Sequence, residues 1–250
     1  MSDNTLRAQA YAALEEAIVT QALAPGSRVT EVELSQRLDI GRTPIREALQ
    51  RLAREGLVSI RPREAIVIQQ MTLDRLLQLL ELRGAVERLL VVAATRRATL
   101  DERSRMLQLA SAVEDAAGID AALYLRVVRD INAVLCEAAR NEFLGNVMAS
   151  VYALSRQFAF ANAHQPETRR RAAVRHAELL RAAASQDTAA AERAAANMMA
   201  YLRQYYAQPP GQQRSVESPL PEPTASHGAV SFEAFLAPRN GPADGTSDEP

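Results

Sequence analysis

Lysine and tryptophan are absent from this chain of 250 residues, cysteine occurs once, and aromatic residues make up only 4 %. The single Cys136 leaves no internal disulfide to form and suits a reducing compartment, the cytoplasm. No apolar run approaches the roughly 18 residues that a membrane span needs, and the N-terminus lacks the pattern of a secretory leader. A cytoplasmic protein without membrane attachment is expected. No excess of one charge is present either: 29 basic residues, all arginine, stand against 30 acidic ones, for a net charge of −1. The whole chain therefore offers no basic field to a polyanion, and affinity for nucleic acid must come from a local patch. The bias toward arginine and alanine reads as the imprint of GC-rich coding. A glycine-rich phosphate loop, paired cysteines and an H-E-x-x-H helix are all missing, and Cys136 has no evident histidine partner in sequence, so no enzyme is expected.

What is present is concentrated between Leu23 and Val58, LAPGSRVTEVELSQRLDIGRTPIREALQRLAREGLV. The stretch reads as a helix, a tight turn and a second helix. In the second helix Thr43 is the expected cap, Pro44 fits the first turn where its missing N–H costs nothing, and Gly56 supplies a left-handed exit; the boundaries fall near 43 and 55. Ile45, Ala48, Leu49 and Leu52 recur at helical spacing toward a core, while Arg46, Gln50 and Arg54, four apart, take the opposite face. The preceding helix opens with Thr30-Glu31-Val32-Glu33, a capping-box pattern, and Val32, Leu34 and Leu38 form its apolar side. LVSIRP and EAIVIQQ are β-branched runs around Pro62-Arg63-Glu64, the pattern of a hairpin wing that brings Arg61 and Arg63 toward phosphate or the minor groove. From Arg42 to Arg63 six arginines stand against Glu47 and Glu55, a local net of +4. Taken alone, such a face is more often a solvated surface than a DNA contact.

Past residue 70 helical periodicity takes over, with helices expected near 72–97, 101–117, 120–140, 142–163, 167–185 and 187–207, joined by short connections: an antiparallel bundle. Arg169-Arg170-Arg171 reads as a solvated helix start. From Pro209 to Pro250 the chain holds eight of its twelve prolines and a net charge of −4, the composition of a disordered tail. The expected organisation is a winged helix-turn-helix over 4–71, a helical domain over 75–207 and the tail over 209–250, mainly α overall.

The first part resembles the winged-helix domain of the GntR family of bacterial transcription regulators. The resemblance rests on Pro25-Gly26, on Arg42-Thr43-Pro44-Ile45-Arg46-Glu47-Ala48-Leu49 and on the run RLAREGLV, and spans about residues 5–70. It implies double-stranded DNA as partner, with Arg42, Thr43, Arg46, Gln50, Arg54 and Arg63 as contact residues. Two positions depart from the family pattern: Gly41 stands where a hydroxyl residue is usual, and Glu64 occupies the wing tip where glycine is common, which shifts specificity toward the reader helix.

The helical part resembles the FCD effector domain of the FadR subgroup. Its carriers are Glu81-Leu82-Arg83 followed by Glu87, Ala138-Ala139-Arg140-Asn141, and His176 with Asp187 eleven residues on. That resemblance implies a small organic acid in the bundle core, often held through a divalent ion by one aspartate and three histidines. Here the corresponding positions carry Val128, Asn132, His176 and Met198, a poor donor set for such an ion, so neither a metal nor another cofactor is expected. Asn132 falls on an otherwise apolar stripe, Ala121, Leu125, Val128, Leu135 and Ala139, facing the bundle interior. Asn132 and His176 are thus candidate polar contacts for an effector, with Met198, Val128 and Leu202 as walls and Arg83 as a carboxylate partner. A satisfied core His176 and an Arg83–Glu87 pair are the bland alternatives. The resulting expectation is a homodimeric regulator, a repressor, whose hold on a palindromic operator responds to a small molecule; the alternative is a constitutive DNA binder whose bundle only dimerises.

Overall fold

The computed structural model describes residues 3–60, 65–162 and 166–207. Its N-terminal part comprises α1 (Asp3–Val19), β1 (Arg28–Val29), α2 (Glu31–Leu38), α3 (Arg42–Arg54), β2 (Val58–Ile60) and β3 (Ile66–Ile68). The strands form a small antiparallel sheet in the order β1-β3-β2. Val58 pairs with Ile68 and Ile60 with Ile66 in the expected hairpin, and Ile66 also faces Val29 of β1, a strand too short to leave a sequence signal. Gly26 and Gly56, both at φ +79°, make the two tight turns that return the chain to this sheet. Arg61, Arg63 and Glu64, the expected wing tip, lie outside the described residues, as do His164 and the tail from 209 onward.

Local rules account for α2. The Thr30 hydroxyl accepts the backbone N–H of Glu33 at 3.1 Å, and the helix ends at Asp39 in a left-handed conformation whose N–H returns to the Ser35 carbonyl. Leu34 is fully buried and Leu38 half-buried, but Val32 is 44 % exposed. The expected apolar side of α2 is therefore narrower than Val32, Leu34 and Leu38, because an eight-residue helix presents only about two turns to its neighbour.

Six helices follow: α4 (Leu73–Arg97), α5 (Leu100–Ala117), α6 (Ala121–Ala139), α7 (Glu142–Asn162), α8 (Pro166–Ala184) and α9 (Thr188–Ala207). Consecutive helices α5/α6, α6/α7 and α8/α9 pack on each other across short connections, which forces the chain to reverse at each joint. Two motifs noted in the sequence are such joints. Arg140 ends α6 at φ +44° and its guanidinium reaches Glu102 at 3.0 and 3.1 Å, while the Asn141 carboxamide accepts the N–H groups of Phe143 and Leu144 at the start of α7. Asp187 does the same for Ala189 and Ala190 at the start of α9.

Two apolar cores result. One lies inside the bundle around Leu90, Val91, Val113, Ile131, Leu135, Tyr152 and Leu180. The other runs through the N-terminal part from Leu14, Ile18, Leu34, Leu49 and Leu52 into Leu76 and Leu80 of α4, Leu154 of α7 and Met198, Met199 and Leu202 of α9. The N-terminal part thus shares one core with α4, α7 and α9, and α1 packs on α7.

Candidate DNA-reading face and ligand cavity

Helix α3 separates its faces sharply. Pro44, Ile45, Ala48, Leu49 and Leu52 are buried, while Arg42, Thr43, Arg46, Gln50 and Arg54 are exposed. The helix starts one residue earlier than expected: Gly41 is the cap, no side chain bonds to the free N–H groups there, and Thr43 sits inside the first turn. Thr43 is therefore not a cap, and its hydroxyl is left on the open face.

The arginines of this segment are not equivalent. Arg46 points the Nε–NH2 edge of its guanidinium at Glu31 of α2, with contacts of 3.0, 3.0 and 2.8 Å, and this arginine holds the Glu31 carboxyl below its usual range. The guanidinium has five N–H donors in a fixed fork, so the edge away from Glu31 remains for a base or phosphate. Arg51 is exposed but engaged: it lies 3.8 Å over the Tyr11 ring and donates to Glu55 at 2.9 Å, and the Tyr11 hydroxyl donates to the same carboxylate at 2.6 Å. Glu47 is matched by Arg7 at 2.6 Å. Among the described residues Arg42 and Arg54 make no ion pair, so the exposed positive charge is sharper and smaller than the count of arginines implies.

The second feature is a cavity of about 70 Å³ within the bundle, partly open to solvent and lined from α4, α6, α7, α8 and α9. It holds three of the four expected effector residues. Asn132 is 7 % exposed, and among the described residues its amide has no hydrogen-bond partner. His176 is 8 % exposed; its Nδ1 lies 2.9 Å from the Ala172 carbonyl, which only a protonated Nδ1 can satisfy, so Nε2 carries the free lone pair. The Tyr124 hydroxyl lies 3.4 Å from the same Nδ1. Burial first, and then the Arg83 charge, push the imidazole down to about 4, which keeps it neutral near pH 7.

Arg83 lines the cavity but already grips Glu87 with two bonds of 2.7 and 3.1 Å, and the Tyr152 hydroxyl donates to that carboxylate at 3.3 Å. Met198 is the exception: it is completely buried in the second core and does not reach the cavity wall, where Val128 and Leu202 are found. Its flexible thioether fills space within that second core instead.

The residues at this site do not fit a divalent metal. Val128 has no donor atom, Met198 is elsewhere, and among the described residues no three His, Cys, Asp or Glu side chains converge. Asp130, a conceivable substitute ligand on the same helix, is half-exposed beside Arg129. Three arginines, Arg83, Arg156 and Arg169, line the cavity, the first two already paired with Glu87 and Glu15, and no aspartate or glutamate is among the lining residues, which disfavours a cation.

Arg156, Arg169 and the tyrosines of this cavity escaped the sequence reading. Arg169 belongs to the run taken as a solvated helix start, yet it is 5 % exposed and its Nε donates to the Ala117 carbonyl at 3.1 Å, while Arg170 and Arg171 do face solvent. One signal was available: five of the six tyrosines, Tyr124, Tyr152, Tyr201, Tyr205 and Tyr206, line this one cavity. In a chain so poor in aromatics, tyrosines gathered from three helices mark a place where apolar bodies and hydroxyls are needed together.

Comparison with known proteins places both features. Residues 6–68 match the gntR family of bacterial regulatory proteins, and residues 78–201 match the FCD domain. The Nta operon transcriptional regulator of Aminobacter aminovorans is 27 % identical over 184 residues, covering 74 % of this chain and 85 % of that protein. The transcriptional repressor RspR of Escherichia coli is 33 % identical over 101 residues, less than half of either chain (40 % and 43 %). Among solved structures, E. coli McbR/YncC superimposes with a TM-score of 0.69 at 21 % identity over 82 % of this chain and 98 % of that one, a likeness of fold. With a reader helix of GntR pattern on a helix-turn-helix and an FCD bundle behind it, the chain belongs to the GntR family of transcription regulators, in the FadR-like subgroup whose C-terminal domain is FCD, and it is not an enzyme.

Proposed function

We propose that this regulator works in the cytoplasm as a homodimer, represses from a pseudo-palindromic operator and is controlled by a small organic acid bound in the bundle cavity without metal. The observation that carries the DNA contacts is the split of α3 into a buried apolar face and an open face with Arg42, Thr43, Arg46, Gln50 and Arg54. On that face Arg42 and the free edge of Arg46 suit guanine O6 and N7, Gln50 a base edge, and Thr43 and Arg54 the phosphates. Arg63 of the wing is assigned to phosphate from the sequence pattern alone. One short helix offers too few contacts for tight specific binding, so two copies are required. Leu82 and Leu89, two turns apart on α4 and 47 % and 60 % exposed, supply an apolar surface for the second copy. Repression is in line with the relative RspR.

The test is fluorescence anisotropy of the full chain on duplexes from the promoter nearest its own gene, with sedimentation of the free protein. A two-fold site bound by a dimer, and released by at least one small acid, is the expected result. A monomer on an asymmetric site contradicts the dimer. The loss of the metal-binding positions favours a second reading, a constitutive binder whose bundle only dimerises; that reading requires that no small molecule shifts either the melting temperature or DNA affinity.

A further inference from the structure

The cavity and the helix-turn-helix share one side chain. Arg156 of α7 is 7 % exposed, lines the cavity, and donates through its NH2 group to Glu15 of α1, itself 3 % exposed. Helix α1 packs on the reader helix α3. The other arginines of the cavity have no such reach: Arg83 is held by Glu87 on its own helix, and Arg169 by a carbonyl within the bundle. Arg156 also borders a smaller pocket on the α1 side, together with Glu15, Glu16, Arg126 and Arg129. Arg126 and Arg129 approach Glu16 at 3.0 and 3.2 Å, but the buried Nε–H of Arg126, although within ion-pair distance of Glu16, is not aligned for a hydrogen bond. A misaligned arginine donor therefore lines the same small pocket as Glu15.

We propose that Arg156 is a latch with two partners: without ligand it holds Glu15 of α1, and a monoanionic ligand with an apolar body, a carboxylate in the simplest case, takes it over inside the cavity. Glu15 then turns to Arg126, and the bond between α7 and α1 is released. This rests on the cavity being the effector site and adds the chemistry of the ligand and the route to the reader helix. Competition of two anions for one buried guanidinium is sufficient for coupling, because the ligand weakens the Glu15 bond by the same factor by which the Glu15 bond weakens ligand binding. The apolar body is matched by Leu76, Leu80, Leu125, Val128 and Leu202, and the tyrosines give flat surfaces.

The experiment uses the full chain with benzoate and the neutral benzamide as probes, measured by calorimetry in the wild type, Glu15→Gln and Arg156→Met, with hydrogen exchange of α1 as a second readout. Glu15→Gln should bind benzoate more tightly by about fivefold or more, with benzamide unchanged. Benzoate should speed amide exchange in α1 of the wild type and leave it unaltered in Arg156→Met. If Arg156→Met does not fold, the comparison of wild type with Glu15→Gln decides alone. Equal benzoate affinity in those two proteins, or no benzoate binding in either at millimolar concentration, overturns the latch. Should a neutral compound release DNA while carboxylates do not bind, the latch fails and the effector-controlled regulator stands. Should benzoate binding follow Glu15 while operator affinity stays constant, the latch stands and effector control fails.

Discussion

Arginine does opposite work at the two ends of this molecule. On α3 it is exposed: Arg42 and Arg54 face solvent, and Arg46, still half-exposed, leans on Glu31 with only one edge. In the bundle Arg83, Arg156 and Arg169 are almost completely buried and each is tied to a carboxylate or a carbonyl. The difference follows from the dielectric around each group. An exposed guanidinium is hydrated and can be offered to DNA at little expense to the fold, whereas a buried one is stable only while its partner is present. Mutation should therefore be read out as stability in the bundle and as binding on the reader helix.

The largest effect is expected from Glu87→Ala. It strands the Arg83 guanidinium and removes the acceptor of the Tyr152 hydroxyl, a loss of about 3–5 kcal/mol, measurable as a lower urea midpoint; a change below about 1 kcal/mol would mean that the pair is hydrated and that the contrast is overstated.

His176 sharpens the same point through pH. Its folded value of about 4 lies below the ordinary 6.5, so the unfolded chain takes up the proton first. The stabilisation is complete above about 6.5 and declines as the pH falls toward 4, by on the order of 3 kcal/mol at about 1.4 kcal/mol per unit. Chemical denaturation across that range should show the slope in the wild type and its reduction in His176→Gln.

On the reader helix, Arg46→Ala should weaken operator binding by about 1–3 kcal/mol and relax preference at one base position per half-site, while stability stays within about 0.5 kcal/mol. Equal losses on specific and random duplexes would move Arg46 from base reading to phosphate contact. The smallest effect is Thr30→Ala, which removes the cap of α2 and should lower stability by about 1 kcal/mol; urea titration gives the value.

Much of this architecture was legible because periodicity is local. The buried face of α3, the hairpin of β2 and β3 and the six bundle helices all follow from residues within a few positions of each other, and the helix ends agree to within a few residues. The start of α3 was misread at Thr43 because Gly41 caps without a side chain, so the usual hydroxyl signal is absent. Strand β1 was missed since Arg28-Val29 is too short to alternate and exists by pairing with β3. In the cavity, Asn132 was legible from the apolar helix stripe on which it stands, and His176 from the FCD resemblance. Met198 was misplaced because α9 meets both cores, and its sequence does not say which residues turn toward which.

The amino-acid sequence by itself determined where helices begin and end to within a few residues, the apolar stripe of the reader helix, and that a GntR-type reader helix precedes an FCD bundle, since these depend on spacing along the chain. Only the tertiary structure decided which arginines are buried, that five tyrosines meet in one cavity, and that Arg156 bonds to Glu15, 141 residues away. Burial and charge pairing are set by neighbours from other helices, and no pattern local to either residue encodes the identity of a partner so distant.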